Sequence, residues 1–174
     1  SIFITGAAAG IGRAVAERFA KAGWFVGLYD VDEAAVQALQ QQLGAGRATA
    51  GCLDVADPQA WGPHLDAFVQ AAGRIDVLFN NAGIAVTDRF EDAALLRHHR
   101  LIDINLKGVV NGVRSFTPKM LAAAASDKAY EGCVVNAASL AGILAGPGMG
   151  IYSVSKHAVV ALSECLHYDL QLVS

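Results

Sequence analysis

Ile2-Phe3-Ile4-Thr5-Gly6-Ala7-Ala8-Ala9-Gly10-Ile11-Gly12 carries the chain from a short apolar run into a glycine-rich turn and out again into a helical pattern. Ile2 to Thr5 reads as a buried strand. Ile11, Val15, Phe19 and Ala22 then recur at helical spacing, with Arg13, Glu17 and Lys21 on other faces. A strand that feeds a helix through glycines leaves backbone N–H groups and the positive helix end free to hold a diphosphate. The spacing Gly6-x-x-x-Gly10-x-Gly12 differs from the Gly-x-Gly-x-x-Gly fingerprint, so the reading rests on mechanism and not on a pattern match.

The same alternation continues along the whole chain. Trp24–Tyr29, Ala48–Leu53, Ile75–Phe79 and Cys133–Ala137 are apolar runs of strand length. Between them, Asp32 can cap a helix carrying Val36, Leu39 and Leu43, which Gly44 would end with a left-handed residue. Asp57-Pro58 reads as an N-cap followed by proline at the first helical position, ahead of Trp61, Leu65 and Phe68, with Gly73 as the stop. Further helices are expected over Glu91–Arg100, over Ile104–Ala125 with Val109, Val113 and Phe116 on one side and a kink at Pro118, and from Tyr152 to the end. A Gly/Pro-rich loop spans Gly142–Gly150. Strands separated by helices predict an α/β fold, a doubly wound parallel sheet with right-handed crossovers in one domain over residues 1–174. Ligands bind such sheets at the carboxyl ends of their strands, where the strand order reverses. After Leu172 nothing follows to cover strand five, so a partial chain lacking C-terminal strands is expected.

Composition narrows the function classes. With 54% apolar residues in 174, the chain can bury a sizeable core, and a net charge of −3 without basic stripes argues against nucleic acid and against a polybasic membrane surface. No run of about eighteen apolar residues occurs, which predicts a soluble, cytoplasmic protein with no membrane partner. Cys52, Cys133 and Cys165 are far apart and lack metal-ligand spacing; they are expected as reduced, mostly buried thiols, and no metal is expected. His98 and His99, adjacent on a helix, read as solvated, and His157 and His167 are too far apart for one coordination site.

Two groups of residues carry chemistry. Asp30, at the end of strand two, can accept hydrogen bonds from an adenosine ribose and would repel a 2′-phosphate. Val31 follows it and Ala9 precedes the second glycine, so no cation stands by for that phosphate and NAD is preferred over NADP. Tyr152-Ser153-Val154-Ser155-Lys156 sets a phenol and an ammonium one helical turn apart. That spacing arises often by chance; its place does not, since the pair opens the helix after strand five and Ser139 ends that strand. A phenol of reference pKa about 10 is a poor base near neutrality, and lowering it by about three units requires about 4 kcal/mol. An ammonium about 4 Å away at an effective dielectric near 20 supplies about that much. Tyr152 is thus the expected acid/base and Ser139 a donor to the same substrate oxygen.

Taken in order, the glycine loop, Asp30, Asp54-Val55, Asn80-Asn81-Ala82-Gly83, Asn105, Ser139 and Tyr152-x-x-x-Lys156 resemble the short-chain dehydrogenase/reductase family, whose fold is Rossmann-like. The resemblance implies NAD as cofactor, bound by Gly6, Gly10, Ile11, Gly12, Asp30, Asp54, Val55, Asn81, Ala82, Gly83, Tyr152 and Lys156. It implies a catalytic set of Asn105, Ser139, Tyr152 and Lys156, in which Asp54 contacts the adenine, Lys156 the nicotinamide ribose, and Asn105 a proton-relay water. It also implies an alcohol or carbonyl substrate and a homodimer or homotetramer built on the helices around Val109–Leu121 and Val159–Leu170. A non-catalytic NAD-binding sensor or scaffold on the same fold is the alternative. A methyltransferase shares the glycine loop and acidic strand end but has no use for the Tyr152–Lys156 pair.

Overall fold

The computed structural model describes residues 1–44, 46–89, 91–92 and 94–172. Two expectations touch residues outside that set: the helix over Glu91–Arg100 includes Ala93, and the domain over 1–174 ends on Val173 and Ser174.

Five strands, β1 (Ile2–Thr5), β2 (Val26–Asp30), β3 (Ala48–Cys52), β4 (Val77–Asn80) and β5 (Cys133–Asn136), form one parallel sheet in the order β3-β2-β1-β4-β5. The chain winds outward from β1 to β3 and then crosses back to β4. The order therefore reverses between β1 and β4, which opens a crevice at their carboxyl ends. This is the doubly wound, Rossmann-like α/β fold expected from the sequence.

Period-two alternation assigns the strand residues to two cores. Ile2, Ile4, Val26, Leu28 and Phe79 face α1 (Gly10–Lys21) and α2 (Glu33–Leu43), where they meet Ala16, Ala20, Val36 and Leu39. Phe3, Tyr29 and Leu78 face α3 (Trp61–Ala72) and α5 (Gly108–Ser126), joining Trp61, Phe68 and Phe116. Phe3 stacks on Tyr29 at 4.0 Å and meets Phe116 edge-on at 4.6 Å. Gly27 leaves the space this cluster requires, because a Cβ there would lie 2.8 Å from the Phe68 ring. A third, smaller cluster of Val109, Val113 and Val159 joins α5 to α6 (Gly150–Gln171).

Several local expectations change. The buried face of α1 is Gly12, Ala16 and Ala20, while Ile11 is 69% exposed in the first turn; small residues let the helix lie close to the sheet, where a row of large ones would hold it off. Asp57 does not cap α3. Its Oδ1 accepts from Gln59 N in a separate turn, and the helix starts at Trp61, whose indole donates to Val55 O. Asp32 does cap α2, accepting from Ala35 N, and Gly44 ends it at φ 95°.

Separate helices over Glu91–Arg100 and Ile104–Ala125 were expected. Instead α4 (Leu95–Ile102) passes through a π turn, Asp103–Lys107, directly into α5, which runs on past Pro118. All three cysteines are free and exposed, not buried: Cys52 and Cys133 lie on the two edge strands and Cys165 on the outer side of α6. His98 is buried beside Leu101 and only His99 is solvated, since neighbours on a helix point about 100° apart. No helix among the described residues is long and apolar enough to cross a membrane.

Candidate active site

The glycine loop is locked to the segment after β4 by groups from both sides. Thr5 Oγ1 accepts from the backbone N–H of Asn81 (3.0 Å) and of Ala82 (3.1 Å), and Asn81 Nδ2 donates to the carbonyls of Thr5 and Gly6. Two glycines permit this approach. A Cβ on Gly6 would lie 2.9 Å from Ala82 Cα, and one on Gly12 would lie 2.1 Å from Gly6 O. Gly10 serves differently: it takes φ 56°, and a Cβ there would meet nothing within 4 Å. Ala9, the N-cap of α1, provides no side-chain acceptor, so no capping side chain claims the first N–H groups of the helix.

Beside this loop lies a cleft of about 150 Å³. One wall is Asp30, Val31, Leu53, Asp54 and Val55, and the other is Ala82, Gly83, Ile84, Arg100 and Ile104. Asp30 ends β2 with its carboxylate accepting from Ala8 N and Asp32 N, which orients it and leaves each oxygen able to accept once more. Asp54 accepts from Ala56 N and from Arg100 Nη2, each at 3.0 Å. Ile11, expected among the cofactor residues, sits on the open side of the glycine loop.

At the other end of the crevice, Asn105 is fully buried in the π turn. Its Oδ1 accepts from Ile84 N and its Nδ2 donates to Ile84 O, each at 2.8 Å, with a further bond from Nδ2 to Ser155 Oγ at 3.2 Å. A wider turn at this point aims the side chain at the loop after β4. Lys156 is 6% exposed and donates to Ala137 O at 2.6 Å. Its Nζ would be 3.7 Å from a Cβ on Gly83, and Asn105 Oδ1 would be 3.3 Å from the same point. Burial holds the Lys156 ammonium below the ordinary lysine value. Lys156 Nζ lies over the Tyr152 ring, 5.8 Å from its centroid. Ser139 caps a 3-10 turn, Leu140–Gly142, accepting from Ala141 N. That turn presses on α6 at Lys156, whose carbonyl would be 2.8 Å from a Cβ on Gly142. Glycine loop, Asp30, Asn105, Ser139, Tyr152 and Lys156 thus all lie at the carboxyl end of one sheet.

A family model described as short chain dehydrogenase matches residues 1–173. The chain belongs to the short-chain dehydrogenase family. Sulfoacetaldehyde reductase 2 of Chromohalobacter salexigens is 36% identical over 172 residues, which cover 98% of this chain and 66% of that protein. Meso-2,3-butanediol dehydrogenase of Serratia marcescens is 34% identical over 168 residues, covering 97% and 64%. The crystal structure of a short chain dehydrogenase/reductase from Burkholderia phymatum in complex with NAD is similar with a TM-score of 0.92 at 37% identity, over 99% of this chain and 60% of that one. The chain spans less than two thirds of the length of the curated relatives it matches.

The sequence reading assigned no role to four residues that brace this crevice: Thr5, Ile84, Arg100 and Ser155. Thr5 had a signal, a hydroxyl closing an otherwise apolar strand. Ile84 acts through its backbone alone, and Arg100 and Ser155 earn their places by contacts across 46 and 50 residues, which periodicity does not reveal.

Proposed function

We propose that residues 1–174 form the cofactor-binding and proton-transferring domain of an NAD-dependent oxidoreductase that interconverts a secondary alcohol with its carbonyl compound. The observation that carries this reading is the position of Lys156. Its buried ammonium adjoins Gly83, on the cofactor side of the crevice, and the ring of Tyr152, on the substrate side. The relatives named above support an alcohol or carbonyl substrate, and the Burkholderia phymatum complex supports NAD.

The residues fit a dinucleotide. The uncapped first turn of α1 and the open face at Gly10 would take the diphosphate, and the free acceptor capacity of Asp30 would take ribose hydroxyls. Asp30 also disfavours a 2′-phosphate, which supports NAD over NADP. When bound, the nicotinamide supplies the acceptor or donor of hydride. Tyr152 takes the hydroxyl proton as the carbonyl forms and returns it in the reverse direction. Ser139 donates to the substrate oxygen, Lys156 sets its buried ammonium beside the Tyr152 ring, and Asn105 fixes the loop that borders the cofactor.

Tyr152→Phe should lower turnover of secondary alcohols by about 10²–10⁴-fold while NADH binding, followed by fluorescence, stays within about twofold. Substantial residual turnover would remove Tyr152 from this role. NADH binding by the wild type without turnover of any alcohol in a broad panel would favour a cofactor sensor.

A further inference from the structure

We propose that Arg100 is a positioning residue for the adenine end of the cofactor cleft, holding the Asp54 carboxylate so that Asp54 selects a purine bearing an amino group. The inference rests on the cofactor-binding reading above and on the family resemblance, which implies that Asp54 contacts the adenine. Arg100 stands on α4 in one wall of the cleft and Asp54 follows β3 in the other, so the 3.0 Å bond between Nη2 and Oδ2 joins the two walls. The cations on either side of Arg100 turn elsewhere, Arg97 to Asp88 and Lys107 to Asp103.

The second Asp54 oxygen accepts from Ala56 N, so the carboxylate is held at both ends and its rotation is fixed. Each oxygen keeps one acceptor site. An ionised carboxylate accepts hydrogen bonds and donates none, so it matches the exocyclic amine of adenine and repels the carbonyl oxygen that hypoxanthine carries at the same position. The bond from Arg100 Nη2 fixes which way the acceptor oxygens of Asp54 face. Without Arg100 the carboxylate could turn towards solvent and the reading of that position would weaken.

Calorimetric titration of the protein with ADP-ribose and with its hypoxanthine analogue tests this without turnover. Arg100→Met should weaken ADP-ribose binding by about fivefold and reduce the preference over the hypoxanthine analogue by a similar factor, with Arg100→Lys in between. In an Asp54→Asn background, Arg100→Met should have no further effect, because Arg100 acts through Asp54. An equal loss for both ligands, or an effect that persists in the Asp54→Asn background, would overturn the proposal and leave Arg100 a merely structural role. No ADP-ribose binding by the wild type would overturn the cofactor reading itself, and this inference with it.

Discussion

A methyl group on Gly12 would sit 2.1 Å from Gly6 O, whereas one on Gly10 would sit in open space, although both glycines belong to the same short motif. The two are therefore glycine for different reasons, and their substitutions should differ. Gly12→Ala forces the loop off α1 and should cost about 2–3 kcal/mol in thermal or denaturant unfolding. Gly10→Ala, opposed by its φ of 56° alone, should cost about 1 kcal/mol. Equal costs would mean that the loop relaxes around the added methyl. Lys156, which the reading proposed above places beside the reacting groups, presents the opposite case: its burial works against stability. Burial disfavours its ammonium and holds its pKa below the ordinary value. A cation with a depressed folded-state pKa gives its full contribution above its unfolded value and loses it as pH falls through the folded value. Lys156→Met should therefore raise the melting temperature at neutral pH by about 2–4 °C and abolish turnover. The gain should shrink as pH rises from the depressed value towards the ordinary lysine range.

At the scale of elements, the π turn between α4 and α5 is the least expected feature and one of the most consequential. A continuous α-helix was a fair reading of Ile104–Ala125, but it would not aim Asn105 in the same way. In the π turn the Asn105 amide bonds both the N–H and the carbonyl of Ile84, tying the loop after β4 to the helical layer. Asn105→Ala removes both partners and should cost about 1–3 kcal/mol, with faster hydrogen exchange at Ile84 N–H. Unchanged exchange would show that the loop is held by the Thr5 contacts alone. The α1 helix gives a related lesson. Its apolar periodicity pointed to Ile11, Val15 and Phe19 as the inner face, but a helix against a parallel sheet at a phosphate loop needs close approach, and Gly12, Ala16 and Ala20 provide it.

At the scale of the whole molecule, one sheet separates two cores, and β1 serves both, with Phe3 on one side and Ile2 and Ile4 on the other. The outer helices leave apolar surface of their own. Leu162 and Leu166 of α6 are only partly buried against Val109 and Val113 of α5. We infer that these helices pair with a second copy, giving a homodimer or homotetramer. Sedimentation should show two or four chains per particle, and a monomer at micromolar concentration would refute it.

Strand and helix order, the parallel sheet and most of the residues that meet at its carboxyl end were legible in the sequence. Hydrophobic period and glycine placement are local properties, and right-handed crossovers leave little topological choice. Packing alone puts the cysteines outside and His98 inside, starts α3 at Trp61 and not Asp57, and brings Arg100 to Asp54. Each of these depends on which surface another element covers, or on a contact between residues far apart in the chain, and neither is written into the local pattern.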